Sequence, residues 1–210
     1  MSGTCNIIPN IGEEKKALLI VDMQNDFLTE KGMFGDKHIR PDDLCNNINK
    51  MIDSREYDNI IFVQAEYDNI KKIKQLERPT GDKYKNIPMN DDFLSGTHTD
   101  EKRNCCVKGS DGAKIYDKLH IESAHKIITK KYYSAFTETE LHIYLIANNI
   151  KTLCVAGVAT HVCILATVTD AFFHGYDVIV NENCVASKKP QSKEDALDKI
   201  DKFYGKVKKS

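Results

Sequence analysis

The sequence predicts an α/β fold, in which one open, doubly wound and mainly parallel sheet carries helices on both faces. Short runs of β-branched and aliphatic residues recur along the chain, and continuous apolar runs of that length suit strands that are buried on both faces. Amphipathic stretches separate these runs, so that strand and helix alternate. The 210 residues, 41% of them hydrophobic, are enough for one sizeable core. We therefore expect residues 1–210 to form a single domain.

Five strands and four helices account for this alternation. The strands are predicted at 17–21, 60–63, 126–129, 152–156 and 177–180. The first helix begins at Pro41, since proline is favoured in the first turn of a helix. Further amphipathic helices are predicted at about 137–147, 161–174 and 192–204. Gly175 is well placed to end the helix at 161–174.

One connection breaks the alternation. Residues 67–124 show only weak periodicity and are too long for an ordinary loop in a compact domain. The connection is charge-rich at 71–85 and polar at 95–104. We expect it to be a lid or a contact between subunits. The lysine-rich tail at 206–209 is expected to be solvated.

Charge and hydropathy argue against several classes of partner. Thirty Lys and Arg oppose 31 Asp and Glu, and the net charge of −1 gives no support for nucleic-acid binding or for an acidic membrane surface. The longest apolar runs are far shorter than the roughly 18 residues that cross a bilayer. Residues 1–14 lack the basic start and apolar segment of a secretory signal. We expect a cytoplasmic protein with no membrane or nucleic-acid partner.

The seven cysteines are expected to be reduced thiols. Their number is odd, and the chain is too large to need disulfide bonds for its stability. No C-x-x-C motif occurs. The adjacent Cys105 and Cys106 are expected to point to opposite sides of an extended chain, which argues against a zinc clamp.

Three predicted strands end in polar or reactive side chains, and ligands of open parallel sheets bind at such carboxyl ends. Asp22 follows the first strand directly, where partial desolvation suits a general base; it could equally cap the next segment. Lys130 and Lys131 follow the third strand, where a lysine could keep Asp22 ionised or could simply be solvated.

The fourth strand is followed by Gly157 and then by a helix start. Thr160 is a plausible N-cap, which puts Cys163 in the first helical turn. Backbone N–H groups and the helix dipole there would lower the pKa of a thiol and supply donors for an oxyanion, which suits a nucleophile for acyl transfer. The alternative is a small buried core residue.

The segments "ALLIVDMQNDFL", "TKKYYSAF" and "VAGVATHVCILATVTDAFFHGYDVIV" together resemble the three motifs of the isochorismatase-like cysteine hydrolases. This superfamily includes nicotinamidase, N-carbamoylsarcosine amidase, ureidoacrylate amidohydrolase and isochorismatase. The resemblance runs from about residue 16 to residue 187, with the motifs in the same order. It implies the isochorismatase-like, Rossmann-like version of the predicted fold and a homo-oligomer, often a dimer or tetramer.

The resemblance also implies roles for particular residues. Cys163 would be the nucleophile, Asp22 the base that takes its proton, and Lys130 the assisting lysine, since Lys130 stands four residues before Ser134 as in the family motif. A cis peptide is implied before Ala159, whose N–H would form the oxyanion hole together with that of Cys163. A substrate pocket bordered by Phe27, Tyr133 and Phe136 is expected to prefer small, flat molecules, and Gln24 is also expected to bind the substrate. Gln64 could hold a polar group of the substrate, or could equally be a surface glutamine at the end of its strand.

Two departures from the family pattern affect these expectations. His161 stands where members commonly have an acidic or amide residue, so we give it no catalytic role. Nicotinamidases carry an aspartate and histidines that hold a metal after the second strand, whereas here Glu66 and Asp68 occur without a histidine. These two acids could form a weak ion site, and His98 could fold back toward them, but solvated acids are expected. We predict no metal and no cofactor.

The predicted function is hydrolysis of the C–N bond of a small amide or ureide through a thioester intermediate. One alternative is cleavage of a vinyl ether, as in isochorismatase, which needs no thiol nucleophile. Another is a non-catalytic family member that acts in protein interaction.

Overall fold

The computed structural model describes residues 14–32, 39–67 and 105–209. The strands are Lys15–Val21 (β1), Asn59–Ala65 (β2), Lys126–Lys130 (β3), Ile150–Val158 (β4), Asp177–Ala186 (β5) and Lys206–Lys208 (β6). The α-helices are Asn25–Leu28 (α1), Pro41–Asp53 (α2), Leu141–Ala147 (α3), Leu165–Phe173 (α4) and Pro190–Phe203 (α5). A π-helical turn, Thr160–Ile164, precedes α4.

The six strands form one sheet in the order β3-β2-β1-β4-β5-β6, and every neighbouring pair is parallel. The order reverses between β1 and β4, the kind of position at which open α/β sheets bind ligands. This architecture confirms the predicted fold class.

Alternation along the strands sends side chains into two hydrophobic cores. In β1, Leu19 and Val21 pack into the core that α3, α4 and α5 cover, whereas Leu18 and Ile20 pack into the core that α2 covers. All four side chains are fully buried. Helices therefore lie on both faces of the sheet, and β1 at its centre is buried on both sides.

Several element boundaries differ from those predicted. Tail residues 206–208 form the edge strand β6, because Val207 packs into the core while its two lysine neighbours stay exposed. Helix α3 begins at Leu141 rather than near 137. Gly175 ends α4 with a positive φ of 83°, as predicted.

Strand β4 approaches β1 closely at the point where both strands end. Gly157 has φ 118°, and a Cβ atom at this position would collide with the carbonyl oxygen of Val21. Asp22, which follows Val21 at the end of β1, has φ 54°, in the left-handed region that few non-glycine residues adopt. Its backbone N–H donates to the Val63 carbonyl at 2.8 Å. Glycine at 157 thus allows the chain turn that places Asp22.

Within the described residues, no helix is both long enough and apolar enough to span a membrane. Residues 68–104, which make up most of the long connection and include Asp68 and His98, lie outside the described residues. Residues 1–13 lie outside them as well. From Cys105 onward the connection lies against the sheet edge, where Tyr116 N–H donates to the Met23 carbonyl at 2.8 Å.

Candidate active site

Asp22, Lys130 and Cys163 meet at the carboxyl edge of the sheet. The Lys130 ammonium lies 2.8 Å from Asp22 Oδ2 and 3.6 Å from Cys163 Sγ. Asp22 and Lys130 are each 1% exposed and Cys163 is 8% exposed, so the three groups interact in a largely dry environment. Coulombic attraction is much stronger there than in water.

Strand β3 places Lys130, and not Lys131, beside Asp22 and Cys163. Lys130 pairs with Ala65 in the β2–β3 register and points to the same face as Ile128, two residues earlier. Lys131 is exposed. Burial alone would lower the pKa of Lys130, but the Asp22 carboxylate and the Cys163 sulfur outweigh burial and raise this pKa above its ordinary value. The lysine therefore remains a cation at neutral pH.

The sulfur of Cys163 sits in the π-helical turn after β4. Burial raises the pKa of this thiol, the Asp22 carboxylate raises it further, and Lys130 acts in the opposite direction. The sequence predicts a lowered pKa from the helix start, and this expectation is wrong because burial and the Asp22 carboxylate raise the pKa of the thiol more than Lys130 lowers it. The resting side chain is accordingly a thiol, within hydrogen-bonding reach of the carboxylate that could accept its proton.

The peptide bond between Val158 and Ala159 is cis. Ala159, not Thr160, is the N-cap residue of the π-helical turn, and its carbonyl accepts the N–H groups of Val162 and Ile164. The Thr160 hydroxyl is buried and makes no capping hydrogen bond. His161 is exposed, and its Nδ1 lies 3.0 Å from the Ser187 hydroxyl.

Gln24 holds the segments around the site together. Its amide donates to the carbonyls of Ala65 and Ala113 and accepts the N–H of Ala65, each at 2.7 Å. The side chain is completely buried. Since both amide N–H groups already have backbone acceptors, the expected contact of Gln24 with substrate does not fit the structure. Gln24 acts as a structural clamp.

Gln64 does not face the three central groups. It alternates with Val63 and Ala65 along β2 and therefore lies on the opposite face from Lys130. Its amide donates to the Thr129 hydroxyl at 3.2 Å in an exposed position. The expectation that Gln64 binds substrate is not supported by this geometry.

The three predicted aromatic residues do not share one cluster. Phe136 belongs to the hydrophobic core that contains Cys163, and Tyr133 packs against that core. Phe27 packs instead against the core that α2 covers and against a small cluster formed by Ala65, Tyr67, Cys105, Cys106 and Ala113.

Tyr67 is the residue near the site that the sequence analysis missed. It is 4% exposed, and its phenol is close enough to Asp22, Lys130 and Cys163 to interact electrostatically with each. The period-two pattern of β2 could have revealed it, since Tyr67 follows the buried Val63 and Ala65 at two-residue steps.

The described residues contain one group of three side chains that could hold a metal ion. It consists of Asp26, Cys105 and Cys106, whose possible ligand atoms all lie within 4.8 Å of one another. The two sulfur atoms are 3.6 Å apart, because Cys106 has φ 48° and the chain is not extended there. The expectation that they point to opposite sides is wrong. Asp26 Oδ2 accepts the Cys106 N–H at 2.6 Å, so one carboxylate oxygen already holds the backbone.

A cavity of about 320 Å³ lies elsewhere, between α2 and the β5–β6 edge. Tyr57, Cys154 and Cys184 are among its lining residues, and none of the three central site residues lines it. We regard the buried groups at the sheet edge as the functional site because they bring a thiol, a carboxylate and an ammonium together.

Comparison with known proteins identifies relatives of the whole chain. The sequence model of the isochorismatase domain matches residues 16–210. A probable inactive nicotinamidase from Arabidopsis thaliana is 30% identical over 181 residues, covering 83% of this chain and 82% of the relative. A ureidoacrylate amidohydrolase from Yersinia enterocolitica is 28% identical over 196 residues, covering 90% and 83%. The crystal structure of a nicotinamidase/pyrazinamidase from Bacillus subtilis is 23% identical, with a TM-score of 0.73 over 92% of this chain and 98% of that one.

The fold and the site define an α/β protein with a buried thiol, carboxylate and ammonium at the switch point of a parallel sheet. The chain belongs to the isochorismatase family. This finding confirms the family and the hydrolase class that the three sequence motifs predicted.

Proposed function

We propose that the protein hydrolyses the C–N bond of a small amide or ureide, with Cys163 as nucleophile and a thioester intermediate. The observation that carries this proposal is the single Lys130 ammonium, which contacts both Asp22 Oδ2 and Cys163 Sγ. Nucleophile, base and cation thus lie within direct contact distance, as covalent catalysis requires.

The reaction begins with proton transfer from the Cys163 thiol to Asp22. The sulfur attacks the substrate carbonyl carbon, and the N–H groups of Ala159 and Cys163 stabilise the oxyanion. Asp22 then returns the proton to the leaving nitrogen, the C–N bond breaks, and ammonia or an amine departs, while the acyl or carbamoyl group stays on the sulfur. Asp22 next takes a proton from water, which attacks the thioester to release the acid and the free thiol. Lys130 keeps Asp22 charged between these proton transfers.

The raised pKa of Cys163 fits a mechanism in which the thiolate forms only as the substrate is attacked. A permanent thiolate beside the Asp22 carboxylate would place two negative charges in a buried site with one cation. Lys130 balances one negative charge at a time, whether it resides on the carboxylate or on the sulfur.

The test measures ammonia release from nicotinamide, ureidoacrylate, N-carbamoylsarcosine, biuret and maleamate. We expect at least one to be a substrate and Cys163→Ala to abolish its turnover while the melting temperature stays nearly unchanged, because removing one sulfur opens only a small cavity. Cys163→Ser should keep little activity, since within residues 14–32, 39–67 and 105–209 no histidine is hydrogen-bonded to residue 163 and so able to activate a hydroxyl there. Cys45→Ala, which removes a buried thiol on α2, is the matched control.

Mass spectrometry of wild-type protein quenched during turnover should detect the acyl group on Cys163. Substantial activity of Cys163→Ala would contradict the thioester mechanism and would favour the vinyl-ether reaction, which pyruvate release from isochorismate would then test. Absence of turnover with every compound would favour a non-catalytic role, a possibility that the relative named as a probable inactive nicotinamidase raises.

A further inference from the structure

The cavity on the α2 side of the sheet is separate from the site at the sheet edge. Its volume is about 320 Å³, and its lining residues come from α2, the segment that follows α2, β4, β5 and β6. Two of them, Cys154 and Cys184, belong to the hydrophobic core that α2 covers, whereas Cys163 belongs to the core on the opposite face. Pockets that bind small ligands have volumes of about 300–1,000 Å³. The cavity is therefore large enough for a small molecule that would lie away from Cys163.

A bulge in β5 forms one wall of this cavity. The register of β4 with β5 shifts between Val155 and Gly157, and four residues of β5, 181–184, lie opposite a single residue of β4 there. Three residues of this bulge line the cavity. The Asn47 amide on α2 donates to the Asn183 carbonyl at 3.2 Å, which ties the bulge to the helix. Bulges are over-represented beside functional sites, and this one gives the cavity a wall that is held on both sides.

The inner surface of the cavity is uncharged. Cys154 and Cys184 are buried, and Met51, Tyr57 and Ile179 are half-buried. Burial raises the pKa of the Cys184 thiol to about 11, and it also raises the pKa values of Cys154 and Tyr57. All three groups are therefore neutral at neutral pH. The phenol ring and the two aliphatic side chains offer a surface on which a flat apolar group can pack.

The rim of the cavity carries an excess of positive charge. Its charged residues are Lys50, Lys208 and Glu56, and all three are exposed. Among the residues that the structure describes, none forms an ion pair with either lysine. Although burial has the larger effect on both thiols, Lys50 lowers the pKa of Cys184 and Lys208 lowers that of Cys154, so each ammonium lies near the inner surface. Two cations and one anion, in a chain whose net charge is −1, favour an anionic ligand.

We propose that this cavity is a binding site for a small, flat organic anion. The apolar body of the ligand packs against Met51, Tyr57 and Ile179, and its carboxylate or phosphate group lies at the rim near Lys50 and Lys208. A mostly apolar interior with a few polar groups at defined positions is the usual composition of a small-molecule site. The inference goes beyond the proposed amidohydrolase function and does not depend on it, because the central residues of the active site do not line this cavity.

The test maps binding by two-dimensional NMR of isotope-labelled protein that is titrated with benzoate, with phenyl phosphate and with benzyl alcohol, a neutral molecule of similar size. We expect at least one of the two anions to give saturable shifts of the amide signals at the end of α2 and at residues 179–184. The amide signals of Asp22, Lys130 and Cys163 should stay in place. Benzyl alcohol should bind more weakly than that anion, since it carries no charge.

A double variant tests the role of the two lysines at the rim. Lys50→Gln/Lys208→Gln should weaken binding of the anion by about 3- to 30-fold, as loss of two exposed ion pairs implies, and should leave the affinity for benzyl alcohol unchanged. The matched control is Lys151→Gln/Lys199→Gln, which removes two exposed lysines that do not line the cavity. This control changes the net charge equally but should alter the affinity by less than about twofold, because distant exposed charges are screened.

Three outcomes would each overturn the proposal: no saturable shift with either anion, shifts confined to the sheet edge around Cys163, or equal weakening by the two double variants. Melting temperatures of both double variants should stay close to wild type, because all four lysines are exposed. The titrations require no turnover. Failure of the amidohydrolase function would therefore leave this result unchanged, and failure of anion binding would leave the proposed reaction unchanged.

Discussion

At the scale of single residues, the site depends on a lysine and an aspartate that are both buried. Taking two charges out of water costs several kcal/mol per ion, and an ion pair offsets this only with good geometry. The 2.8 Å contact between Lys130 and Asp22 provides that geometry, and the Tyr132 carbonyl accepts a further hydrogen bond from the ammonium at 3.1 Å. We therefore expect the pair to serve reactivity more than stability.

Lys130→Ala should lower kcat by orders of magnitude and destabilise the fold by about 3–5 kcal/mol, because it leaves the Asp22 carboxylate buried without its cation. Lys131→Ala, which changes an exposed side chain, should be nearly silent in both respects. Steady-state kinetics and denaturant titration measure the two effects.

A double variant separates catalysis from folding in this experiment. Lys130→Met/Asp22→Asn removes both charges and should recover most of the lost stability while remaining inactive. If Lys131→Ala proved to be the inactive variant instead, the assignment by spacing to Ser134 would be off by one residue.

Residue identity was easier to predict than residue direction. Asp22, Lys130 and Cys163 could be selected because motif order and strand ends both point to them. Gln64 is one position away from the residues that face the site, since the two faces of a strand cannot be told apart without its neighbours. The sequence predicts opposite directions for Cys105 and Cys106 because the positive φ of Cys106 has no sequence signal.

At the scale of elements, the continuous apolar runs identified five of the six strands. They succeeded because β1, β2 and β4 are buried on both faces and cannot alternate with polar residues. The apolar runs do not predict β6, because an edge strand of three residues needs only Val207 to be apolar. The start of α3 was predicted too early, since the polar residues before Leu141 fit a turn as well as a helix.

The junction of α3 and α4 contains a pair of stacked histidines. The rings of His142 and His174 are 4.1 Å apart, and His142 Nδ1 lies 3.0 Å from the Tyr176 hydroxyl. Phe136 packs against both imidazoles. Burial lowers the pKa of His142, and the proximity of His174 lowers it further.

This lowered pKa predicts a loss of stability in mild acid. Below the ordinary histidine pKa of about 6.5, the unfolded chain binds a proton at His142 more readily than the folded chain does. Stability should therefore fall as pH drops from about 6.5 through the lower folded value. Melting temperatures at pH 7 and pH 5 should differ less for His142→Gln than for wild type.

His120→Gln is the control for the acid effect, because His120 lies outside this pair and contacts Asp53. It should not flatten the pH dependence. A wild-type slope that His142→Gln leaves unchanged would mean that other groups, and not the stacked imidazoles, set the acid limit.

At the scale of the whole molecule, the fold was predictable because one sheet organises every described element. The long connection could not be predicted, since it lacks a repeating pattern and its described part is positioned by hydrogen bonds from distant residues such as Gln24 and Asp26. Such contacts are specified by tertiary structure alone.

Catalysis is expected to need no metal. The donor group of Asp26, Cys105 and Cys106 would have to lose two thiol protons, and the Cys105 sulfur and burial both raise the pKa of Cys106. Activity should survive exhaustive dialysis against a chelator, and elemental analysis should find no stoichiometric transition metal. Activity lost to the chelator and restored by zinc, manganese or iron would contradict this expectation, and a Cys105→Ser/Cys106→Ser variant would then show whether these thiols hold the ion.

The place of β3 at the rim of the sheet has a consequence for how the protein fails under stress. Lys130 is carried by a five-residue strand that pairs with β2 alone among the described strands, and Ile127 and Thr129 on it are exposed. Rim strands with few buried side chains belong to the part of a fold that opens at the lowest free energy. A brief detachment of β3 would withdraw the ammonium from Asp22 and Cys163 while the central strands kept their protection from hydrogen exchange. Inactivation should therefore precede global unfolding. The protein would pass through an inactive state in which the rest of the fold is intact, and renewed pairing of β3 with β2 would restore the site.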